Sequence, residues 1–444
     1  MKRIFSLMAT ILPTSMATTI LTVLLVFFSA VPVVYAEATV SAEATVRVAV
    51  IDTGVAASVV NNVTEGYNYM LQSTDTDDLI GHGTAVASLI SGSKMAGLGD
   101  ENSRIVIVPL TYYTKNTEGT MLNGGGDAIT KAIYDAIDRY GCKVINISSG
   151  TYVELLALKE AVEYAESKNV IVVSSAGNWQ EELPNLIYYP SGYETVVSVG
   201  ACDKYGDEAE FSQKNDSVDI LAQGTSLKAA SLRGRTRIVE GTSYATALVT
   251  EKVCRILEEY PDLSAAKVRE MLFSRARTVG GNLVLADFKD VTEDDFFYEA
   301  VRYAVERGIT KGTSEYLFSP KKVCTKGEIL TFMWRNAGSP GEESAEKGEH
   351  FYSGALKWAE NFGINSVEPM EPCTRLDTVR FLYSIYGSEE ATADDRFVDV
   401  RDEAVTWACQ KGITNGTSES TFSPEKLCSR GEIVTFLFRA FEIA

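Results

Sequence analysis

The stretch "VRVAVIDTG", Val46 to Gly54, reads as a buried strand that ends on an acid and a tight turn. Its residues are mostly β-branched or small and leave no continuous polar face, as in a strand covered on both sides. Four more runs of similar texture follow: "RIVIVPL" from Arg104, "KVINISSG" from Lys143, "NVIVVSSAGN" from Asn169 and "ETVVSVGA" from Glu194. Each is short and bounded by turn residues. Helical patterns lie between them, in "GTAVASLISG", "GDAITKAIYDAIDRYG" and "ELLALKEAVEYAESKN". This alternation predicts an α/β fold, an open parallel sheet with helices on both faces. In such sheets the site lies beyond the carboxyl ends of the strands, where "DTG", "SSG" and "AGN" fall.

The chain has 444 residues, room for two or three domains, and its 45% hydrophobic content can bury a core. A formal charge of -19 argues against a nucleic-acid partner, which would need basic patches. Seven Cys without a CxxC pair make neither a disulfide framework nor a zinc site. At the N-terminus Lys2 and Arg3 precede an apolar stretch, densest in "ILTVLLVFFSAVPVV" from Ile20 to Val34. Small or apolar residues at Val34 and Ala36 fit a signal peptide, residues 1–36, with cleavage after Ala36. A retained membrane anchor is the other reading, although Pro32 interrupts the run. Residues 37–45 form a spacer and 46–283 the α/β domain.

The segment "VEGTSYATALVTEKV", Val239 to Val253, opens a helix with Gly-Thr-Ser. A helix cap explains Ser243 alone. A nucleophile at a helix N-terminus is the alternative, and it needs a base with a group to orient it. Only two His occur in the chain, and His82 in "IGHGTAVASLISG" is the one inside the α/β region. Asp52, at the end of the first strand, supplies the acid. Asp52, His82 and Ser243 each sit beside or near a Gly that lets the backbone turn tightly.

Residues 46 to 280 resemble the subtilisin-like serine proteases. "VAVIDTG" resembles the Asp block, "GHGTAVASLISG" the His block and "GTSYATALV" the Ser block, in the Asp, His, Ser order of that family. "VINISSG" resembles the strand that lines the substrate cleft, and "VVSSAGN" the block ending in the oxyanion Asn. The resemblance implies Ser243 as nucleophile, His82 as base and then acid, and Asp52 as the group that holds the imidazole. It implies Asn178 as oxyanion donor with the Ser243 N–H, and Ser148, Ser149 and Gly150 as a backbone edge for the substrate. Two positions depart from the family pattern: Ala247 stands for a usual Pro and Ala85 for a frequent second His. Neither belongs to the triad, so altered packing is expected. Fewer than ten residues separate Ala36 from the first strand, which leaves no room for the pro-domain such enzymes usually carry. No cofactor is expected. No Asp cluster supports the calcium sites of many relatives, and no other metal site is expected.

Past residue 285 the sequence repeats itself. "GITKGTSEYLFSPKKVCTKGE" from Gly308 aligns without a gap with "GITNGTSESTFSPEKLCSRGE" from Gly412. An eroded copy from Ala355 lies between them. Repeats over 288–338, 350–387 and 397–444 each read as helix, turn, loop, helix, and such units must pack together to bury their faces. They resemble three S-layer homology (SLH) modules, through "FKDV" and "FVDV", "GITKG" and "GITNG", and "CTKGE", "CTRLD" and "CSRGE". The resemblance implies an all-α three-repeat domain that attaches to an anionic secondary cell-wall polysaccharide. Arg430, Arg375 and Lys326 are the cations at helix starts, and Arg430 with Asp399 and Trp407 is the leading candidate site. Those cations could instead cap helices and pair with Glu328, Asp377 and Glu432.

The expectation is therefore a secreted serine endopeptidase held in the cell wall of a Gram-positive-type bacterium. Its partners would be a protein or peptide substrate and the wall polymer. Membrane contact follows only if the N-terminal segment is retained. The alternative is a surface structural or adhesion protein whose protease fold is dormant.

Overall fold

The computed structural model describes residues 45–99, 103–341, 350–387 and 396–442. The signal peptide, the spacer up to residue 44 and most of the two acidic linkers between repeats lie outside these residues.

Strand β1 (Val46–Asp52) is an inner strand of the sheet, paired on both sides. Its alternate residues serve two cores. Val48 and Val50 point to one face, Ala49 and Ile51 to the other, and all four are fully buried. That double burial is why the run has no polar alternation. The chain continues through β2 (Tyr67–Asn68), α1 (His82–Ser91), β3 (Ile105–Thr111) and a short hairpin of β4 (Tyr113–Lys115) and β5 (Met121–Asn123). Then come α2 (Gly125–Asp138), β6 (Val144–Ile147), α3 (Leu156–Ser167), β7 (Ile171–Ser175), β8 (Val196–Cys202) and β9 (Ile220–Gln223). A second hairpin, β10 (Leu227–Ala230) and β11 (Thr236–Val239), leads into α4 (Thr242–Glu259) and α5 (Ala265–Arg275). Strands β12 (Arg277–Val279) and β13 (Asn282–Leu285) finish the sheet at Leu285, slightly beyond residue 283.

The sheet order is β12-β13-β9-β8-β7-β6-β1-β3-β2, and every neighbouring pair is parallel except β12 with β13. Helices α1, α4 and α5 pack one face and α2 and α3 the other, the predicted open α/β sheet. Ala85 and Ala247 are both buried in the core that α1 shares with α4.

Beyond Leu285 three helix pairs follow: α6 (Tyr298–Glu306) with α7 (Lys326–Asn336), α8 (Ser353–Ala359) with α9 (Arg375–Tyr386), and α10 (Glu403–Gln410) with α11 (Arg430–Glu442). They share one apolar core. The segments entering α7, α9 and α11 close a ring around Cys324, Cys373 and Cys428. Cys324 N–H donates to Cys428 O (3.1 Å), Cys373 N–H to Cys324 O (2.9 Å) and Cys428 N–H to Cys373 O (2.9 Å). Three copies are needed to close that ring, so the eroded middle copy keeps its place in it. All three thiols are fully buried and burial raises their pKa, which fits packing and not reactivity.

Candidate active site

Each predicted catalytic side chain stands at the carboxyl end of a strand or the start of a helix. Asp52 ends β1, and the N–H of Thr53 donates to its Oδ1 (2.7 Å). His82 is the first residue of α1, and Gly81 before it takes φ +98°, a left-handed turn that aims the ring at the sheet edge. Gly83 after it has no room for a side chain: a Cβ would lie 2.2 Å from the Gly54 carbonyl oxygen. His82 Nδ1 lies 2.7 and 3.0 Å from the two Asp52 oxygens, which leaves Nε2 to face the cleft. Burial disfavours the imidazolium. The Asp52 carboxylate, by charge and hydrogen bond, and Asp78 nearby outweigh it and hold the His82 pKa above its ordinary value.

Ser243 is the second residue of α4, after Gly241 in a conformation (φ +141°) suited to glycine. It is nearly buried. Its Oγ donates to the Ser148 carbonyl (3.0 Å), and among the described residues no hydrogen bond joins it to His82. The ring of Tyr244 packs on His82 with centroids 5.5 Å apart, so nucleophile and base are neighbours. Asn178 is exposed at the sheet edge. Its Oδ1 accepts from the N–H of Thr242 (2.8 Å) and from Thr242 Oγ1 (2.9 Å). That double bond pins the amide and leaves Nδ2 as the free donor beside the helix start.

Ser148, Ser149 and Gly150 follow β6 on the other side of Ser243. A Cβ on Gly150 would lie 2.1 Å from the Tyr189 carbonyl oxygen, so this edge runs hard against the segment 188–189. Tyr188 Oη donates to Gly150 O (2.9 Å). Tyr152, Trp179 and Tyr188 form a closed aromatic trio, each pair of centroids 5.3 Å apart.

Three residues that the sequence did not single out hold this arrangement. Asp78 is buried and accepts from Thr53 Oγ1, from the N–H groups of Ile80, Gly81 and Thr84, and from Thr84 Oγ1. It thereby ties the turn before His82 to the residue after Asp52. Asn146 and Thr250 form a chain with Ser148: Thr250 Oγ1 donates to Asn146 Oδ1 (2.9 Å) and Asn146 Nδ2 to Ser148 Oγ (3.0 Å). The signal available was an Asn inside an otherwise apolar strand, "VINIS"; the sequence carried none for Asp78. Among the described residues no group of three or more His, Cys, Asp or Glu is placed to hold a metal ion.

The proposed polymer ligands are not open groups. Arg430 is buried, with Nε on Phe318 O (2.9 Å) and Nη2 on Thr310 Oγ1 (2.8 Å). Arg375 is buried in the same way on Phe422 O (2.9 Å) and Thr414 Oγ1 (3.3 Å). Lys326 reaches Glu371 (2.9 Å) and Asp377 (4.0 Å). Each cation thus serves the next repeat in a cycle. Asp399 caps the N–H groups of Phe422 and Ser423, and Trp407 is buried against Tyr383. The cations stand at helix starts as expected from sequence, and the ring brings a neighbouring repeat's carbonyl onto Arg430 and Arg375 and its carboxylates onto Lys326.

A model described as the subtilase family matches residues 43–294, and one described as the S-layer homology domain matches 287–330 and 401–434. Subtilisin DY of Bacillus licheniformis is 33% identical over 243 residues, 53% of this chain and 85% of that protein. A thermophilic serine proteinase of Bacillus sp. (strain AK1) is 34% identical over 208 residues, 45% of this chain and 49% of that protein. A solved structure described as a cold adapted subtilisin-like serine proteinase is 27% identical. It covers 55% of this chain and 89% of that one, with a TM-score of 0.46.

Proposed function

Because this chain belongs to the subtilase family, we propose that Asp52, His82 and Ser243 form the triad of an exported, wall-held serine endopeptidase. The enzyme is a serine protease, a hydrolase. The observation that supports the residue roles is the Asp52–His82 pair beside a serine at the start of α4.

Ser243 Oγ swings from the Ser148 carbonyl toward His82 Nε2 and attacks the scissile carbonyl as His82 takes its proton. Asp52 stabilises the imidazolium and keeps the ring's orientation. The developing oxyanion meets the Ser243 N–H and the Asn178 amide, with the positive end of α4 behind them. His82 then gives the proton to the leaving amine, and water repeats the sequence to release the acid. The substrate backbone lies along Ser148, Ser149 and Gly150 as an added strand.

The SLH regions associate the protein with the cell surface. We read α8 and α9 as a third, eroded module, and an anionic wall polysaccharide as the ligand. The joints built by Arg430, Arg375 and Lys326, with Asp399 and Trp407, shape the surface that the polymer meets. Labelling by a fluorophosphonate probe tests the catalytic reading. The full chain should label, and Ser243→Ala should not. No labelling of folded protein would sink the assignment and favour the dormant scaffold. Sedimentation with isolated cell walls, before and after removal of their secondary polymer, tests the anchoring.

A further inference from the structure

The chain carries 60 Asp and Glu against 41 Lys and Arg, yet one surface beside His82 has the opposite sign. The hairpin from Leu227 to Val239 contains Lys228, Arg233, Arg235 and Arg237 and no acid. All four are exposed, and among the described residues none is in an ion pair. Four like charges on so short a hairpin repel one another, and no acid on the hairpin offsets them.

The hairpin is fixed to the helix that bears the catalytic histidine. The N–H of Ala230 donates to Ser88 Oγ (3.0 Å), and Arg237 Nη2 donates to the carbonyl of Gly81 (2.8 Å), the residue before His82. Leu232 packs against Gly81 as well. The 148–150 edge and the aromatic trio lie on the other side of Ser243, with β6 and β7. His82 delivers its proton to the leaving amine, so the residues after the scissile bond lie on the His82 side, toward this hairpin.

We infer that the β10–β11 hairpin is a docking surface for acidic residues that follow the scissile bond, so the enzyme selects protein substrates with Asp or Glu there. The inference rests on the catalytic roles proposed for Ser243 and His82. The arginine forks match carboxylates two oxygens at a time. An acidic substrate that the protein's net charge repels is drawn to this patch at short range.

The test uses the full chain and two quenched peptides, identical up to the cut and then either Glu-Asp-Glu or Gln-Asn-Gln. The acidic peptide should have a kcat/KM about tenfold higher, as expected from two or three exposed pairs of a few-fold each. The preference should shrink as salt rises past physiological strength, where screening acts within about 8 Å. Arg233→Gln with Arg235→Gln should abolish the difference and leave the neutral peptide's rate unchanged. Equal rates for the two peptides, or a double variant that slows both alike, overturns the inference. Anisotropy of the labelled acidic peptide on the Ser243→Ala chain reads docking without turnover. Hairpin-dependent docking with no cleavage by the parent chain would sink the catalytic roles and leave the surface standing. Loss of cell-wall sedimentation in the double variant, with the peptide preference intact, would assign the patch to the wall polyanion instead.

Discussion

Ser243 and Ser148 hold each other reciprocally: Ser243 Oγ donates to the Ser148 carbonyl at 3.0 Å, and Ser148 Oγ donates to the Ser243 carbonyl at 2.8 Å. The second bond fixes the backbone of the nucleophile, while the first is one rotation away from release. Ser148→Ala keeps the carbonyl but removes the hydroxyl, leaving Asn146 Nδ2 unpaired in a buried site and taking a second bond from the Ser243 carbonyl. A loss of about 1–3 kcal/mol should appear as a lower denaturant midpoint. An unchanged midpoint would mean that the Thr250–Asn146–Ser148 chain adds nothing to stability.

The acid limb of activity follows from the His82 environment. His82 acts as a base only when neutral. Its pKa is raised above 6.5 because Asp52 outweighs the effect of burial, so the imidazolium persists to higher pH than usual. As pH falls, kcat/KM should therefore decline with a midpoint above 6.5, since this parameter reports the free enzyme. A midpoint at or below 6.5 would contradict the tight Asp52–His82 pair.

Asn178 has two separable roles. Its Oδ1 caps α4 through Thr242, and its Nδ2 is the oxyanion donor we propose. Asn178→Asp keeps the acceptor and removes the donor. It should lower kcat by ~10²–10³ with little change in KM. Asn178→Ala should add a stability loss of about 1 kcal/mol from the lost cap. Equal stability of the two variants would remove the capping role.

The aromatic trio bears on the residue whose carbonyl is attacked. With the substrate backbone along 148–150 as we propose, that residue's side chain would leave between this edge and Asn178, where Tyr188 is latched to Gly150 and packed against Tyr152 and Trp179. Three large rings placed there would favour small side chains, so Ala, Ser or Gly should be cut faster than Phe or Leu at that position. Tyr188→Ala should raise kcat/KM for Phe by about tenfold, on the scale of pocket discrimination by size. Tyr188→Phe, which loses only the hydroxyl, should not. If peptides differing only at this position are cut equally by all three enzymes, the trio does not line the pocket.

The sheet was legible because a doubly covered parallel strand imposes a local texture: "VAVID" and "VINIS" need no partner to be recognised. Asp52, His82 and Ser243 drew attention because each ends a strand or opens a helix near a glycine, whereas Asn178 entered only through the resemblance to the subtilisin-like proteases. Asp78 did not, since its five bonds are made by a folded turn and nothing in "DLIGH" marks the carboxylate as buried. The partners of the repeat cations were hidden for the same reason. Their helix starts are visible in sequence, but the groups they meet come from another repeat, for Arg430 a carbonyl 112 residues away.

That ring yields a graded prediction. Arg430 and Arg375 are buried, each stacked between two Phe rings and bonded to a neighbouring repeat's carbonyl. Removing either guanidinium strands the carbonyl of Phe318 or Phe422 and opens a void. Arg430→Ala or Arg375→Ala should therefore cost about 2–4 kcal/mol. Lys326 pairs with Glu371, whose side chain is 58% exposed, and its loss should cost under about 1 kcal/mol. Trp334, Trp358 and Trp407 all lie in the repeats, against Trp179 alone in the protease region, so tryptophan fluorescence during denaturation mainly reads the ring. Active-site labelling at the same denaturant concentration reads the protease separately. The two Arg variants should lower the fluorescence midpoint far more than Lys326→Ala does. Three equal shifts would mean that the cations are interchangeable helix-end charges and that the cyclic joint does not hold the repeats together.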